Sequence, residues 1–345
     1  MASLFFVLSG EFETLPYSEL VAILETEGDS FKTIEKLDQT IRVESKAESV
    51  QDVSRRSAYT RICALELLAC KAKEDLILKR AKKIDYKTVL QENETFAVRI
   101  RRLKNYNEEI ETVPLERALG QVIKENVPNA TVNLKKPGKT FFGILTSGKL
   151  VFGLKLSEIE PKPFVERRPR KKPFFHPSAM SSKLARCMVN LAHAKRGDLV
   201  LDPFCGTGTA VMEAAMIGCR ALGADVQKRM VLGCRKNLHH FAIHAEDLLV
   251  ADARKPALKR IDCIVTDPPY GRASTCMKSN TGEIVKSVLS SSFNLLNRGQ
   301  RICIASPKTL NIAKLGTELG YRHMESHFAY VHRSLTREVA VFEKP

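Results

Sequence analysis

Leu199-Val200-Leu201-Asp202-Pro203-Phe204-Cys205-Gly206-Thr207-Gly208-Thr209 is the stretch that decides the fold. A short β-prone run ends in an acid, a turn with two glycines follows, and residues 209–217 read as a helix. Strand, glycine-rich turn and helix form a cradle for a nucleotide-like ligand. The glycines let the backbone approach closely, and the helix start offers free N–H groups. No Lys-Ser or Lys-Thr follows the glycines, so this is not a Walker loop, and the third glycine of the dinucleotide fingerprint is missing. The leading Asp202 disfavours a pyrophosphate and suits a ligand that carries a cationic amino group.

Downstream the alternation continues. Residues 220–223, 248–250, 263–265 and 301–305 read as strands, and 228–241, 284–296 and 310–319 as helices. Two closing strands follow near 327–332 and 339–342. This pattern predicts a mostly parallel sheet with helices on both faces and a final hairpin as its antiparallel edge. Acids recur after successive strands, all on the carboxyl edge. Asp225 can take both hydroxyls of a ribose, and Asp252, in Val250-Ala251-Asp252-Ala253, can accept from an adenine amino group. After the fourth strand stands Thr266-Asp267-Pro268-Pro269-Tyr270-Gly271. The two prolines hold the backbone extended, so the Asp267 carboxylate and the Pro268 carbonyl can grip one amino group. An exocyclic base amine is a poor nucleophile because its lone pair is delocalised into the ring. Two acceptors can turn that lone pair toward an electrophile and relieve the developing charge. Tyr270 offers a face on which an extruded base can stack.

Upstream, residues 161–177 contain five prolines, and from 162 to 172 there are six basic residues against Glu166 alone. This predicts an extended basic linker, assigned to 158–177. Before it, residues 1–50 alternate strand and helix signals: strands at 4–8, 31–34 and 40–43, and a helix over 17–27 closed by Gly28. Residues 51–157 form a further unit. Residues 59–71 are rich in helix formers, 96–102 alternate as a half-buried strand with one basic face, and a helix starts at Pro114. Strands at 132–134, 141–145 and 150–155 complete it.

The formal net charge of the 345 residues is +16, carried unevenly: 4 basic and 10 acidic groups over 1–50, 21 and 14 over 51–160, and 30 and 15 over 161–345. That balance favours a polyanionic partner, and nucleic acid is the commonest. The nine cysteines include no CxxC pair, which fits reduced thiols in a cytoplasmic chain and argues against structural zinc. No apolar run is long enough for a membrane span. The apolar start at 4–8 is too short for a signal-peptide core.

LDPFCGTGT at 201–209 and DPPYG at 267–271, in that order, resemble the amino-group methyltransferases that use S-adenosylmethionine. His176-Pro177, followed by a helix carrying Lys183, Leu184 and Asn190, is similar to the segment before the glycine loop in the RNA guanine-N2 branch. Phe96-Ala97-Val98-Arg99, then Leu115-Glu116-Arg117-Ala118-Leu119-Gly120, then Val132-Asn133-Leu134 with Pro137 resemble a THUMP domain, an RNA-binding module. Residues 1–50 resemble the ferredoxin-like domain that precedes THUMP. His332-Arg333-Ser334-Leu335-Thr336-Arg337 resembles the closing strands of archaeal tRNA guanosine-10 N2-methyltransferases.

The resemblance implies a Rossmann-like class I methyltransferase domain over 178–345 with a seven-stranded, mostly parallel sheet. A ferredoxin-like domain (1–50) and THUMP (51–157) would precede it. It implies that Asp202, Gly206 and Gly208 hold the methionine part of the cofactor, with Phe204 and Thr209 also in the cofactor site, Asp225 on the ribose and Asp252 and Ala253 on the adenine. His176 is a further candidate for a cofactor-side or base-side contact. Asp267, Pro268 and Tyr270 would form the guanine site. Arg99, Arg101, Arg102 and Arg272 would touch RNA, and the loop 271–281, with Arg272 and Lys278, would close over the target. The implied partner is tRNA, either for the chain alone as a monomer or with a small activating subunit. The implied reaction is mono- or dimethylation of guanosine-10. Guanosine-6, ribosomal guanine-N2 and adenine-N6 are the rival targets, and a non-catalytic RNA-binding protein is the rival class. Because every motif of the chemistry lies in 161–345, that fragment is expected to bind S-adenosylmethionine by itself.

Overall fold

The computed structural model describes residues 1–256, 258–270, 281–333 and 335–345. They form two compact units: Met1–Glu11, Asp29–Ser54 and Thr60–Glu160 in the first, and Phe12–Gly28, Arg55–Tyr59 and Pro161–Pro345 in the second.

In the first unit β1 (Ala2–Leu8), β2 (Lys32–Leu37), β3 (Thr40–Ser45), β4 (Thr60–Lys71), β5 (Thr95–Arg102), β6 (Thr131–Val132), β7 (Lys139–Thr146) and β8 (Lys149–Glu158) share one sheet, in the order β2-β3-β1-β4-β8-β7-β5-β6. The expected boundary near residue 50 does not interrupt this sheet, because β1 pairs with β4 from Leu4 to Leu8. The helix formers of 59–71 give β4, a strand rather than the expected helix. It pairs with β1 from Thr60 to Leu65 and, on its other side, with β8 from Ile62 to Lys71. Two-sided ladder pairing overrides the modest helix preference of Ala, Leu and Glu. Helices α3 (Glu74–Ala81) and α4 (Thr112–Asn126) cover one face, where Ile77, Leu115, Leu119 and Ile123 meet Phe96, Val98, Phe141 and Phe152. Helix α2 (Ser49–Arg56) follows β3.

The second unit holds β9 (Leu199–Asp202), β10 (Arg220–Asp225), β11 (Asp247–Val250), β12 (Cys263–Thr266), β13 (Arg301–Pro307), β14 (Arg322–His332) and β15 (Leu335–Glu343). Their order is β11-β10-β9-β12-β13-β15-β14. The first five are parallel, and β15 runs antiparallel between β13 and β14. The last strand is therefore interior, and β14 forms the edge. Alternate residues face opposite sides. Val200, Cys263, Val265, Cys303, Val339 and Val341 pack against α6 (Ser182–Leu191), α7 (Thr209–Met216) and α8 (Lys228–His240). Leu201, Ile264, Ile302, Ile304 and Phe342 pack against α9 (Thr281–Leu295) and α10 (Ile312–Glu318).

Helix α1 (Leu15–Thr26), from the N-terminal stretch, belongs to this second unit and packs on α6. Glu19 explains the attachment. Its carboxylate is fully buried and accepts from Ser57 Oγ at 2.8 Å, Tyr59 N at 2.9 Å, Ala58 N at 3.0 Å and Asn190 Nδ2 at 3.0 Å. The expected extended linker is partly helical, with α5 (Lys162–Glu166) and a single turn at Pro169–Lys171. Prolines at the start of each turn are tolerated because those N–H groups would have no partner in any case. Two cations of the basic run are buried: Arg167 pairs with Glu213 at 2.8 Å, and Lys172 donates to Thr209.

Candidate active site

The carboxyl ends of β9, β10 and β12 carry Asp202, Asp225 and, one residue past the strand, Asp267. Parallel strands end on the same edge, so residues far apart in sequence meet there. The glycine loop is pinned from several sides. Cys205 N donates to Ala224 O at 2.8 Å, Gly206 N to Asp225 Oδ2 at 3.1 Å, and Phe204 N to Asp202 Oδ1 at 3.1 Å. Gly206 and Gly208 have φ of +49° and +81°, a region that side chains disfavour. A Cβ on Gly208 would meet Cys234 Sγ at 2.4 Å. Asn237 of α8 donates to Thr207 O and to Phe174 O, each at 2.9 Å.

Asp202 is buried and accepts from Thr266 Oγ1 at 2.9 Å. Burial raises its pKa to about 7, and the nearby Asp267 and Asp225 add to the rise. Burial also raises that of Asp225, against bonds from Gln227 N and Gly206 N. Among the described residues neither acid has a cationic partner. A pocket built this way is short of positive charge, which fits a cofactor bearing an ammonium and a sulfonium. The strand-to-helix turn leaves room for its backbone contacts.

Asp267 is gripped by two groups. Arg337 Nη2 lies 3.0 Å from Oδ2, and the Tyr270 hydroxyl donates to Oδ1. Burial raises its pKa to about 6, with Arg337 acting in the opposite direction. The Arg337 guanidinium also sits 5.7 Å from the centre of the Tyr270 ring. Pro268 is buried beside it and Tyr270 is half-buried.

Other expected site residues are placed differently. Asp252 is held by Arg254 at 2.6 Å, which lowers its pKa, so it is not a free acceptor as expected. It lines a cleft of about 870 Å³ beside α9. Ala253 is buried and its carbonyl accepts from Ser291 Oγ at 3.1 Å. His176 closes a local turn through Ser178 Oγ at 2.7 Å. In the first unit the three arginines do not share one basic face. Arg99 donates to the carbonyls of Val98 and Leu134, and Arg101 pairs with Glu158 at 3.6 Å. Arg102 lies on the opposite side of the strand, and its guanidinium donates to Ile110 O. The reason is the period of two along β5. Arg272, Lys278 and the other residues of 271–280 lie outside the described residues.

Thr266, Asn237, Lys172 and Arg337 carry no site role in the sequence analysis, although Thr266 and Arg337 stand inside quoted motifs and Lys172 closes the basic run. Signals existed for two of them: an asparagine in mid-helix, where its propensity is poor, and an arginine in an apolar closing strand.

A parallel sheet in this order, with its one antiparallel strand inside and a glycine loop after its first strand, defines a class I methyltransferase that uses S-adenosylmethionine. Two family models match: one described as RMKL-like, methyltransferase domain, over residues 169–338, and one described as DNA methylase, over residues 37–234. They overlap at 169–234, which contains the glycine loop, and the second stops short of Asp267. The tRNA (guanine(10)-N2)-dimethyltransferase of Methanothermobacter thermautotrophicus is 37% identical over 339 residues, 98% of this chain and 98% of its own. That of Methanocaldococcus jannaschii is 32% identical over 365 residues, 98% of this chain and 99% of its own. The chain belongs to the tRNA (guanine(10)-N2)-dimethyltransferase family. In fold it is similar to TrmN from Thermus thermophilus, with a TM-score of 0.55 at 19% identity over 99% of this chain and all of that one.

Proposed function

We propose that the chain methylates N2 of guanosine-10 in tRNA, once and then a second time, using S-adenosylmethionine. One observation carries the reading. Thr266, the residue before Asp267, bonds Asp202 directly, so the acid of the cofactor cradle and the acid of the Pro-Pro-Tyr turn stand on adjacent strands.

The cofactor supplies an electrophilic methyl group on a sulfonium. Asp202, with the backbone from Phe204 to Thr209, would hold its methionine part, and Asp225 would take the ribose. Ala253 would border the adenine, and Asp252 would contribute there only by exchanging its bond to Arg254. Asp267 Oδ1 and the Pro268 carbonyl accept the two N–H bonds of the target amine and turn its lone pair toward the methyl. As positive charge develops on N2, Asp267 stabilises it and receives the released proton. After one transfer a single N–H remains, and one acceptor still suffices to orient it. Tyr270 stacks on the extruded base.

The first unit serves as a THUMP-type RNA-binding module, in which Arg99 and Arg101 present a partly exposed cationic edge. The protein works in the cytoplasm. Among the described residues no helix is long and apolar enough to cross a membrane, and no group of three His, Cys, Asp or Glu could hold a metal.

The test is Asp267→Asn with a tRNA transcript and mass spectrometry of the digested product. The wild type yields monomethyl- and then dimethylguanosine at position 10, and defined duplex DNA gives none. The variant loses about a hundredfold or more in rate while binding S-adenosylmethionine normally. Near-normal turnover in the variant, or product at another nucleotide, overturns the reading.

A further inference from the structure

The amine site needs Asp267 as an anion with a lone pair aimed at the substrate, yet its surroundings work against both. The carboxylate is only 14% exposed, and Asp202 stands on the neighbouring strand β9, with Asp225 one strand further away on β10. Among the described residues, the charged and titratable groups facing it are Asp202 from β9, with Asp225 behind it on β10, Arg337 from β15 and Tyr270 from its own turn. Arg337 is the one cation among the described residues of this group.

Arg337 is itself anchored on three sides. It pairs with Asp267 Oδ2, its guanidinium sits over Tyr270, and Nη2 donates to Ser178 O at 3.4 Å. The side chain is 9% exposed. Register fixes its place. Arg337 lies opposite Pro307 at the end of β13, on the same carboxyl edge as the acids. Its Nε has no hydrogen-bond partner among the described residues.

We propose that Arg337 is the positioning residue of the amine site: it holds the Asp267 carboxylate as an anion in one orientation through Oδ2 and leaves Oδ1 for the target amine. The Tyr270 hydroxyl, on the more exposed turn, gives up Oδ1 when the base enters. Arg337 keeps its contact throughout, since moving it would strand two buried charges. The inference rests on the reading of Asp267 as the amine acceptor.

A charge at this distance lowers a carboxylate pKa by about one to three units. Without Arg337, burial acts unopposed, and Asp267 ionises only at higher pH. The experiment measures single-turnover methylation of tRNA by the full chain at saturating enzyme, from about pH 5 to about pH 9. It compares wild type, Arg337→Met and Arg337→Lys, with calorimetry of S-adenosylmethionine as control. In wild type the rate rises through the Asp267 ionisation near 6. In Arg337→Met the rising limb moves up by about one unit or more, and the plateau falls at least about tenfold. Arg337→Lys keeps the limb near its wild-type position with an intermediate plateau, because an ammonium supplies charge without the planar fork. Both variants bind the cofactor within about twofold of wild type, a difference well under 1 kcal/mol.

A limb that stays put in Arg337→Met overturns the proposal. So does loss of cofactor binding in both variants, which would make Arg337 a support of the fold. Asp267→Asn separates the two readings. If that variant stays active, the amine-site assignment itself has failed. If it is inactive while the Arg337→Met limb is unmoved, only the role of Arg337 has failed.

Discussion

The Lys172 ammonium donates to the Thr209 hydroxyl across 2.7 Å, buried at the first residue of α7. A helix start is the positive end of its dipole, and burial disfavours charge, so both effects oppose protonation there. Burial brings the Lys172 pKa down to about 8, with Glu213 partly opposing it.

That depression predicts a pH dependence with a definite sign. Between about 8 and about 10.5 the unfolded chain binds a proton at Lys172 that the folded chain does not, so folding stability from this group rises with pH. Below that window the full cost of burying the charge, about 3 kcal/mol, is present. Lys172→Met removes it. Denaturant unfolding should therefore show wild type gaining on Lys172→Met as pH rises through this window. A difference that stays flat with pH would mean that Lys172 titrates normally.

Gly208→Ala should damage both fold and cofactor site. The added Cβ meets Cys234 Sγ at 2.4 Å while the backbone stays at φ +81°. Left-handed strain plus overpacking should cost roughly 2–4 kcal/mol. Cofactor affinity should fall as the loop shifts. Adding Cys234→Ala should recover the steric part and leave the backbone part, so the double variant should be more stable than Gly208→Ala alone. Thermal melts of wild type, Gly208→Ala, Cys234→Ala and the double variant decide this.

The fragment 161–345, complete in its chemical motifs, should fail to fold independently. It lacks α1 and Arg55–Tyr59, which belong to the same compact unit. Its α6 would lose the cover of Leu15 and Ala22 over Leu184, Met188 and Val189. Asn190 would lose Glu19 and Arg56. In the full chain, Glu19→Ala should cost about 3–5 kcal/mol, because several buried donors lose their acceptor at once. A fragment with native near-ultraviolet circular dichroism and cofactor binding would refute this.

The parts legible in the sequence are those encoded by local period and turn chemistry. The alternation from β9 to α10 shows in short apolar runs broken by glycine and acid. Asp202, Asp225 and Asp267 were identifiable because a residue just past a parallel strand faces the ligand edge whatever the rest of the sheet does. The strand β4 was not legible, since Ala, Leu and Glu favour a helix and only pairing with β1 and β8 makes them a strand.

Sequence alone determined the class of sheet, the glycine loop and the amine-gripping turn, because each is written in consecutive residues. Tertiary structure decided which charges are buried. Arg167 and Lys172 lie inside while Arg168 and Arg170 stay exposed, though all four belong to one basic run. It also decided that α1 serves the second unit, and that Arg337, at the start of a strand near the chain end, meets Asp267. Those choices depend on strand register and on which helix covers which face. Both are set by packing between segments far apart in sequence, and no local pattern records them.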